Sequence, residues 1–162
     1  MPSWVVDASP LILLGKIHRI DLLTDLAHVL VIPSAVVDEI NAGPNEDPAR
    51  QWLAHSGFTY IEQVTSIAPE VAAWDPGKGE GAVLSWAYQR PGWRAIIDDA
   101  AARHCARALG ISTIGTIGVF LIAKRLNRIP AAKPLFTDLL ETGMRMSAKI
   151  IDQALRQVGE LE

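Results

Sequence analysis

The sequence predicts an α/β domain in which a central, mostly parallel sheet of four or five strands carries helices on both faces. Three observations predict it. Short, nearly all-apolar segments of strand length alternate with stretches whose apolar residues recur at helical spacing. The 162 residues, 49% of them hydrophobic, suffice for one sizeable core and are far too apolar for a disordered chain. No internal repeat, low-complexity stretch or long linker interrupts the rhythm. Residues 1–162 therefore read as one domain, with the helices of about residues 133–158 appended at its end.

The first strand is Trp4-Val5-Val6, a β-branched run ending at Asp7. Ser9-Pro10, a capping residue and a first-turn proline, opens a helical stretch with apolar positions at Leu11, Leu14, Ile17, Ile20, Leu23 and Leu26, broken near residues 15–19. His28 to Ile32 is the second strand, closed by Pro33. Ser34 caps a helix to about Asn41, where Asn41-Ala42-Gly43-Pro44 stops it. Asp47 to His55 reads as a helix, and Phe58 to Val64 as a strand because Thr59, Tyr60 and Ile61 favour extended backbone. Beyond the loop Asp75-Pro76-Gly77-Lys78-Gly79, a helix runs from about Glu80 to Gln89 and is broken by Pro91-Gly92. Trp93 to Ile97 is a buried strand, and an alanine-rich helix follows from Asp98-Asp99 to Leu109, ended by Gly110. Ile111 to Ile114 is the last strand and Gly115 to Asn127 a helix. Two further helices flank Gly143, the second capped by Ser147.

Composition excludes several classes. Fifteen basic against eighteen acidic residues give a net charge of −3, unlike a bulk nucleic-acid binder. The basic residues Arg103, Arg107, Lys124, Arg125, Arg128 and Lys133 do cluster, as a phosphate-facing side or a solvated set of helix faces. The single cysteine, Cys105, excludes an internal disulfide framework and a zinc–thiolate site. No apolar run approaches the ~18 residues of a membrane span, and MPSWVVDASP lacks the basic start and apolar middle of a signal peptide. A reducing cytoplasm is the expected compartment.

In open parallel sheets, ligands bind outside the carboxyl ends of the strands, and acids gather there. Asp7 follows the first strand directly, and Asp98-Asp99 follow the strand ending at Ile97. Glu39 lies about one turn inside the helix after the second strand, and Glu80 opens a helix after a glycine-rich turn. Carboxylates in one crevice repel unless they share a proton or bind a cation. Oxygen-only donors suit Mg²⁺ or Mn²⁺, ions that recur in phosphodiester cleavage. Taken singly, each acid also fits capping, the helix dipole or a solvated face; their joint placement carries the functional reading.

Other constellations fail. There is no GxSxG elbow, and Cys105 lies mid-helix as a small buried hydrophobe. His18, His28, His55 and His104 lack metal-ligand spacing. Gly77-Lys78-Gly79-Glu80-Gly81 lacks the GxxxxGK[ST] spacing of a phosphate cradle and gives Glu80 room. Gly115-Thr116-Ile117-Gly118 at a helix start is an anion-binding candidate or a site of close helix packing.

The segments Val5-Val6-Asp7-Ala8-Ser9-Pro10-Leu11, Ile32-Pro33-Ser34-Ala35-Val36-Val37-Asp38-Glu39-Ile40 and Ile97-Asp98-Asp99-Ala100-Ala101-Ala102-Arg103 resemble the PIN-domain (PilT N-terminus-like) family. Its members are Mg²⁺/Mn²⁺-dependent ribonucleases, many of them VapC-like toxins of toxin–antitoxin pairs. Gly79-Glu80, Asp98-Asp99 with Arg103, Gly115-Thr116-Ile117-Gly118-Val119 and Ala123-Lys124-Arg125 resemble more narrowly a prokaryotic branch known mainly as predicted nucleic-acid-binding proteins. The resemblance spans nearly the whole chain and implies a PIN-like three-layer sandwich. By position it implies that Asp7, Glu39 and Asp99 are the family's first three acids. Asp99 is preferred because its distance to Gly110 matches the family's spacing, and Asp98 then supports the ligands or replaces Asp99. Glu80 completes the cluster. Where many PIN domains place a fourth Asp or Asn, this chain has Gly115, Thr116 and Ile117.

The expectation is thus a PIN-type endoribonuclease using Mg²⁺ or Mn²⁺. Asp7, Glu39, Glu80 and Asp99 are its catalytic acids, and Asp7, Asp99, Glu39 and Asp98 its metal ligands. Ser9, Arg103, Thr116, Lys124 and Arg125 are its phosphate contacts. The rival is a PIN scaffold with a weakened site that binds nucleic acid or a partner protein without cutting. A phosphatase with an aspartate nucleophile is disfavoured because Ser9 stands where it needs a second acid. RNA is the expected substrate, and the resemblance implies an antitoxin partner and a homodimer; no membrane is expected. Trp52, Trp74, Trp86 and Trp93 are expected to pack against helices rather than mark a partner surface.

Overall fold

The computed structural model describes Met1–Glu162. Five strands, β1 (Ser3–Val6), β2 (Val29–Pro33), β3 (Ile61–Glu62), β4 (Trp93–Ile96) and β5 (Ser112–Ile114), form one sheet in the order β3-β2-β1-β4-β5. Every neighbouring pair is parallel. The helices are α1 (Ala8–Lys16), α2 (Asp21–Leu26), α3 (Ser34–Asn41), α4 (Pro48–His55), α5 (Pro69–Ala72), α6 (Lys78–Tyr88), α7 (Ala100–Ala108), α8 (Thr116–Arg125), α9 (Lys133–Glu141) and α10 (Ala148–Gln157). β1 lies at the centre, with Trp4 opposite Leu30 on one side and Arg94 on the other. The chain steps from β1 to β2 and β3, then returns to place β4 on the opposite flank. The strand order therefore reverses beside β1, which makes its carboxyl end the switch point where such sheets bind ligands.

Local chemistry explains most boundaries. The Asp47 carboxylate accepts the Ala49 and Arg50 amides at 2.9 and 3.3 Å, and Pro48 occupies the first turn of α4. Ser147 accepts the Ile150 amide to start α10. The expected break near residues 15–19 falls at His18, whose φ of 58° separates α1 from α2.

One element departs from expectation. The strand predicted over Phe58 to Val64 shrinks to Ile61–Glu62, and Gly57–Tyr60 forms a 3₁₀ turn. In that turn the Tyr60 ring stacks on Trp52 with centroids 6.0 Å apart, so aromatic packing on α4 overrides the extended preference of Thr59 and Tyr60. Residues 69–72 add the short helix α5 where the sequence carried no clear period.

The core is continuous from β1 to α10: Val5, Val6, Ile96 and Phe120 share one buried cluster with Phe136, Leu139, Ala154 and Leu155. Phe120 meets Phe136 edge to face at 5.7 Å, which joins α8 to α9. No helix is long and apolar enough to cross a membrane.

Candidate active site

Asp7 is the pivot of the carboxyl edge. It ends the central strand, its amide donates to the Ile96 carbonyl of β4 at 3.0 Å, and only 4% of the residue is exposed. Three polar side chains are buried in the molecule: Asp7, Ser85 and Thr116. The Ser85 hydroxyl accepts the Ala68 amide at 3.0 Å, and the Thr116 hydroxyl donates to Asp98 at 2.7 Å. Asp7 alone of the three keeps a buried oxygen, Oδ1, with no partner. Burial pushes its pKa up to about 7; the nearby Ala8 amide pulls it down, and the charges of Glu80, Glu39 and Asp98 push it further up.

Asp7, Glu39, Glu80, Asp98 and Asp99 share one electrostatic field. Glu80 is raised first by burial and then by Asp99 and Glu39, against the Gly77 and Glu80 amides. Those amides reflect its place at the third helical position after the cap residue Gly77, where a glutamate reaches back to the open helix end. Gly79 brings α6 onto α3. A Cβ at that glycine would lie 3.5 Å from Asp7 Oδ1 and 3.6 Å from Glu39 Oε1, so these two oxygens border one small space beside its Cα.

The two aspartates after β4 divide their work. Asp98 Oδ1 accepts the Thr116 amide at 2.8 Å while Oδ2 accepts the Thr116 hydroxyl, clamping the β5–α8 turn to the end of β4. Asp99 caps α7 by accepting the Ala102 amide on Oδ2 at 2.8 Å. A carboxylate has about four lone-pair sites, so both residues retain acceptor capacity. Arg103 reaches the same edge: a Cβ on Gly115 would stand 2.7 Å from Asp98 Oδ1 and 2.9 Å from Arg103 Nη1. Only a residue without a side chain admits both groups there. Arg103 forms no ion pair within 4.0 Å.

The structure thus brings Asp7, Glu39, Glu80, Asp98, Asp99 and Arg103 to one edge, with Ser9 exposed in the first turn of α1 beside them. It does not bring Lys124 and Arg125 there. They end α8, eight and nine residues from Thr116 and about 12 Å along the axis at 1.5 Å per residue. Lys124 donates to the Pro130 carbonyl at 2.6 Å and pairs with Glu160 at 3.6 Å; Arg125 donates to Gln157. Their charge serves the carboxy-terminal helices, and as phosphate contacts at the acids they are corrected. Thr116 is corrected for the same use, because it is fully buried with hydroxyl and amide both committed to Asp98.

Asp7, Glu39, Asp98 and Asp99 are expected from the sequence to gather as metal ligands, yet no three His, Cys, Asp or Glu side chains converge at metal-ligating distance. The donor set nevertheless fits a hard dication. It is all oxygen, Asp7 Oδ1 is buried and bare, and the space at Gly79 lies between that oxygen and Glu39.

Two residues at this edge carried no functional signal in the sequence. Trp74, 43% exposed, meets His104 in a T-shaped contact at 5.5 Å, beside a cleft of about 330 Å³ that also touches Glu80, Asp99 and Cys105. Trp74 thus packs against α7 through His104 while staying partly exposed, Trp52 stacks on Tyr60 and Trp86 meets Trp93 edge-on. Cys105 is buried and its thiol pKa is pushed up by that burial, consistent with a small hydrophobe.

A family model described as a PIN domain matches residues 3–160, and the chain belongs to the PIN-domain family. PIN domains are generally nucleases and typically use divalent metals, so the molecule has a nuclease-type fold. No curated protein matches the chain.

Proposed function

We propose that the protein is a Mg²⁺- or Mn²⁺-dependent endoribonuclease that hydrolyses RNA phosphodiesters at the edge formed by β1 and β4. The observation that carries this reading is Asp7: a buried carboxylate with a bare oxygen, facing Glu39 across Gly79 at the switch point of a nuclease-type sheet. Asp7 and Glu39 would hold the cation, with Asp99 or Asp98 completing its ligands. A bound divalent ion supplies charge neutralisation and lowers the pKa of water at the phosphate. Arg103, free of ion pairs, binds a phosphate oxygen and orients the chain. Glu80, held above its ordinary pKa, keeps a proton to higher pH and exchanges it with the reacting groups.

RNA cleavage in Mn²⁺ by the wild type, Asp7→Asn and Asp99→Asn tests the proposal. A loss of about a hundredfold or more in both variants is expected. Equal rates in all three proteins would remove the catalytic claim.

The absence of a fourth acid after β5, with Thr116 turned onto Asp98, favours a second reading in which the scaffold binds RNA or a protein without cutting it. Calorimetric titration with Mn²⁺ separates the two, since a scaffold lacking the ion site releases only heat of dilution. A toxin role, an antitoxin partner and a homodimer extend the first reading through the likeness to VapC-like proteins. Growth arrest on expression, relieved by a co-expressed neighbouring gene product, is the observation they require.

A further inference from the structure

We infer that the cleft beside Trp74 and His104 receives an unstacked base of a single-stranded nucleic acid whose phosphate lies at the neighbouring acids. The inference rests on the nucleic-acid reading above and adds where the strand lies.

The cleft is built rather than accidental. The Trp74 and Asp75 amides donate to the Val71 and Ala72 carbonyls at 3.0 and 2.9 Å, which fixes the turn carrying the indole. A T-shaped contact with His104 occupies at most one face of that indole, and 43% of the residue remains exposed. Ala102 and Cys105, both buried, contribute an apolar floor, and Asp75, Glu80 and Asp99 contribute carboxylates.

The chemistry selects the occupant. No lysine or arginine lines the cleft, so it does not take a phosphate. A nucleobase is flat and uncharged, stacks on the indole face that His104 leaves free, and offers exocyclic amines to a carboxylate such as that of Asp75, which the proposed cation site does not use. Placement adds the rest. Arg103 and His104 are consecutive on α7; Arg103 turns to Gly115 and Asp98, while His104 turns to Trp74. One nucleotide can therefore set its phosphate against Arg103 and its base in the cleft. Paired bases are already stacked, so the site favours single strands.

The test measures binding of a short fluorescent RNA by anisotropy in Ca²⁺, a hard dication that occupies oxygen sites. The DNA of the same sequence, the RNA duplex and single strands with one abasic position form the other arms. Trp74→Leu keeps apolar volume but removes the ring and should weaken single-strand binding roughly five- to a hundredfold, whereas Trp74→Phe should retain most of it. The wild type should lose affinity when one particular base is removed, and Trp74→Leu should be blind to that removal. RNA and DNA strands should respond alike, because stacking does not read the sugar. Binding that is unchanged in Trp74→Leu, absent from the wild type, or indifferent to every abasic position overturns the inference. Failure of the nuclease reading looks different: unaltered cleavage in Asp7→Asn beside a Trp74-dependent affinity would leave the base site standing.

Discussion

At the scale of single residues, Asp7 couples the proposed chemistry to stability. Its carboxyl ionises with a pKa of 3.8 in an ordinary setting and about 7 in the fold. The folded state therefore holds the proton more tightly. The associated stabilisation is fully present below about pH 4 and is lost as pH rises through 7. Glu80, shifted in the same direction, adds to this decline. Without divalent ions, urea unfolding should show stability falling by as much as roughly 4 kcal/mol between pH 4 and 8. Asp7→Asn, which does not ionise, should flatten most of that slope. Gly79 provides a complementary probe. A Cβ there makes ordinary contacts, and replacing a helical glycine by alanine gains about 0.5–1 kcal/mol. Gly79→Ala should therefore melt at the same or a higher temperature while its melting point rises less on adding Mn²⁺. An undiminished Mn²⁺ response would place the ion elsewhere.

At the scale of elements, helix starts organise both ends of the molecule. At the carboxyl edge, Asp99 caps α7 and Asp98 clamps the start of α8, so two acids of the candidate site also hold its scaffold. At the far end, Glu160 plays the matching part: its carboxylate accepts the Ala132 and Lys133 amides at 2.7 and 2.9 Å and pairs with Lys124. This arrangement ties α8, α9 and the segment after α10 together. Glu160→Ala should destabilise the protein by about 1–2 kcal/mol, with faster amide exchange confined mainly to α9 and α10. RNA cleavage should be unaffected, because the tie lies at the end of α8 away from the acids. These helices are as legible in the sequence as any: Asp47-Pro48, Ser147 and Asp99 stand where caps belong. The strand expected over residues 58–64 was illegible because the stacking of Tyr60 on Trp52 is a tertiary contact.

At the scale of the whole molecule, net charge and its distribution shape how a polyanion is met. The chain carries −3 overall, and the edge with five acids presents Arg103 without an ion pair. Each phosphate neutralised on a single strand contributes about −0.7 to the slope of log affinity against log salt. Binding should therefore depend weakly on salt, with a slope no steeper than about −2 in a KCl titration. A steep slope would mean that the basic cluster around Lys124 and Arg128 carries the nucleic acid instead. Asp7, Asp98, Asp99 and Glu80 were found from sequence because each follows a strand or opens a helix, and Glu39 because its helix follows β2 directly. That Trp74 and His104 join them depends on the turn after α5 reaching α7, which spacing along the chain does not encode.

Alternating apolar segments, breakers and caps determined the α/β class, most elements and the set of acids, because periodicity and capping act within a few residues along the chain. Strand order decided the rest. It put β1 between β2 and β4, set Asp7 at the switch point, opened the space at Gly79, turned Thr116 onto Asp98 and carried Lys124 to the opposite end. Each of those outcomes joins residues far apart in the chain, and only the packing of the sheet and its helices brings them together.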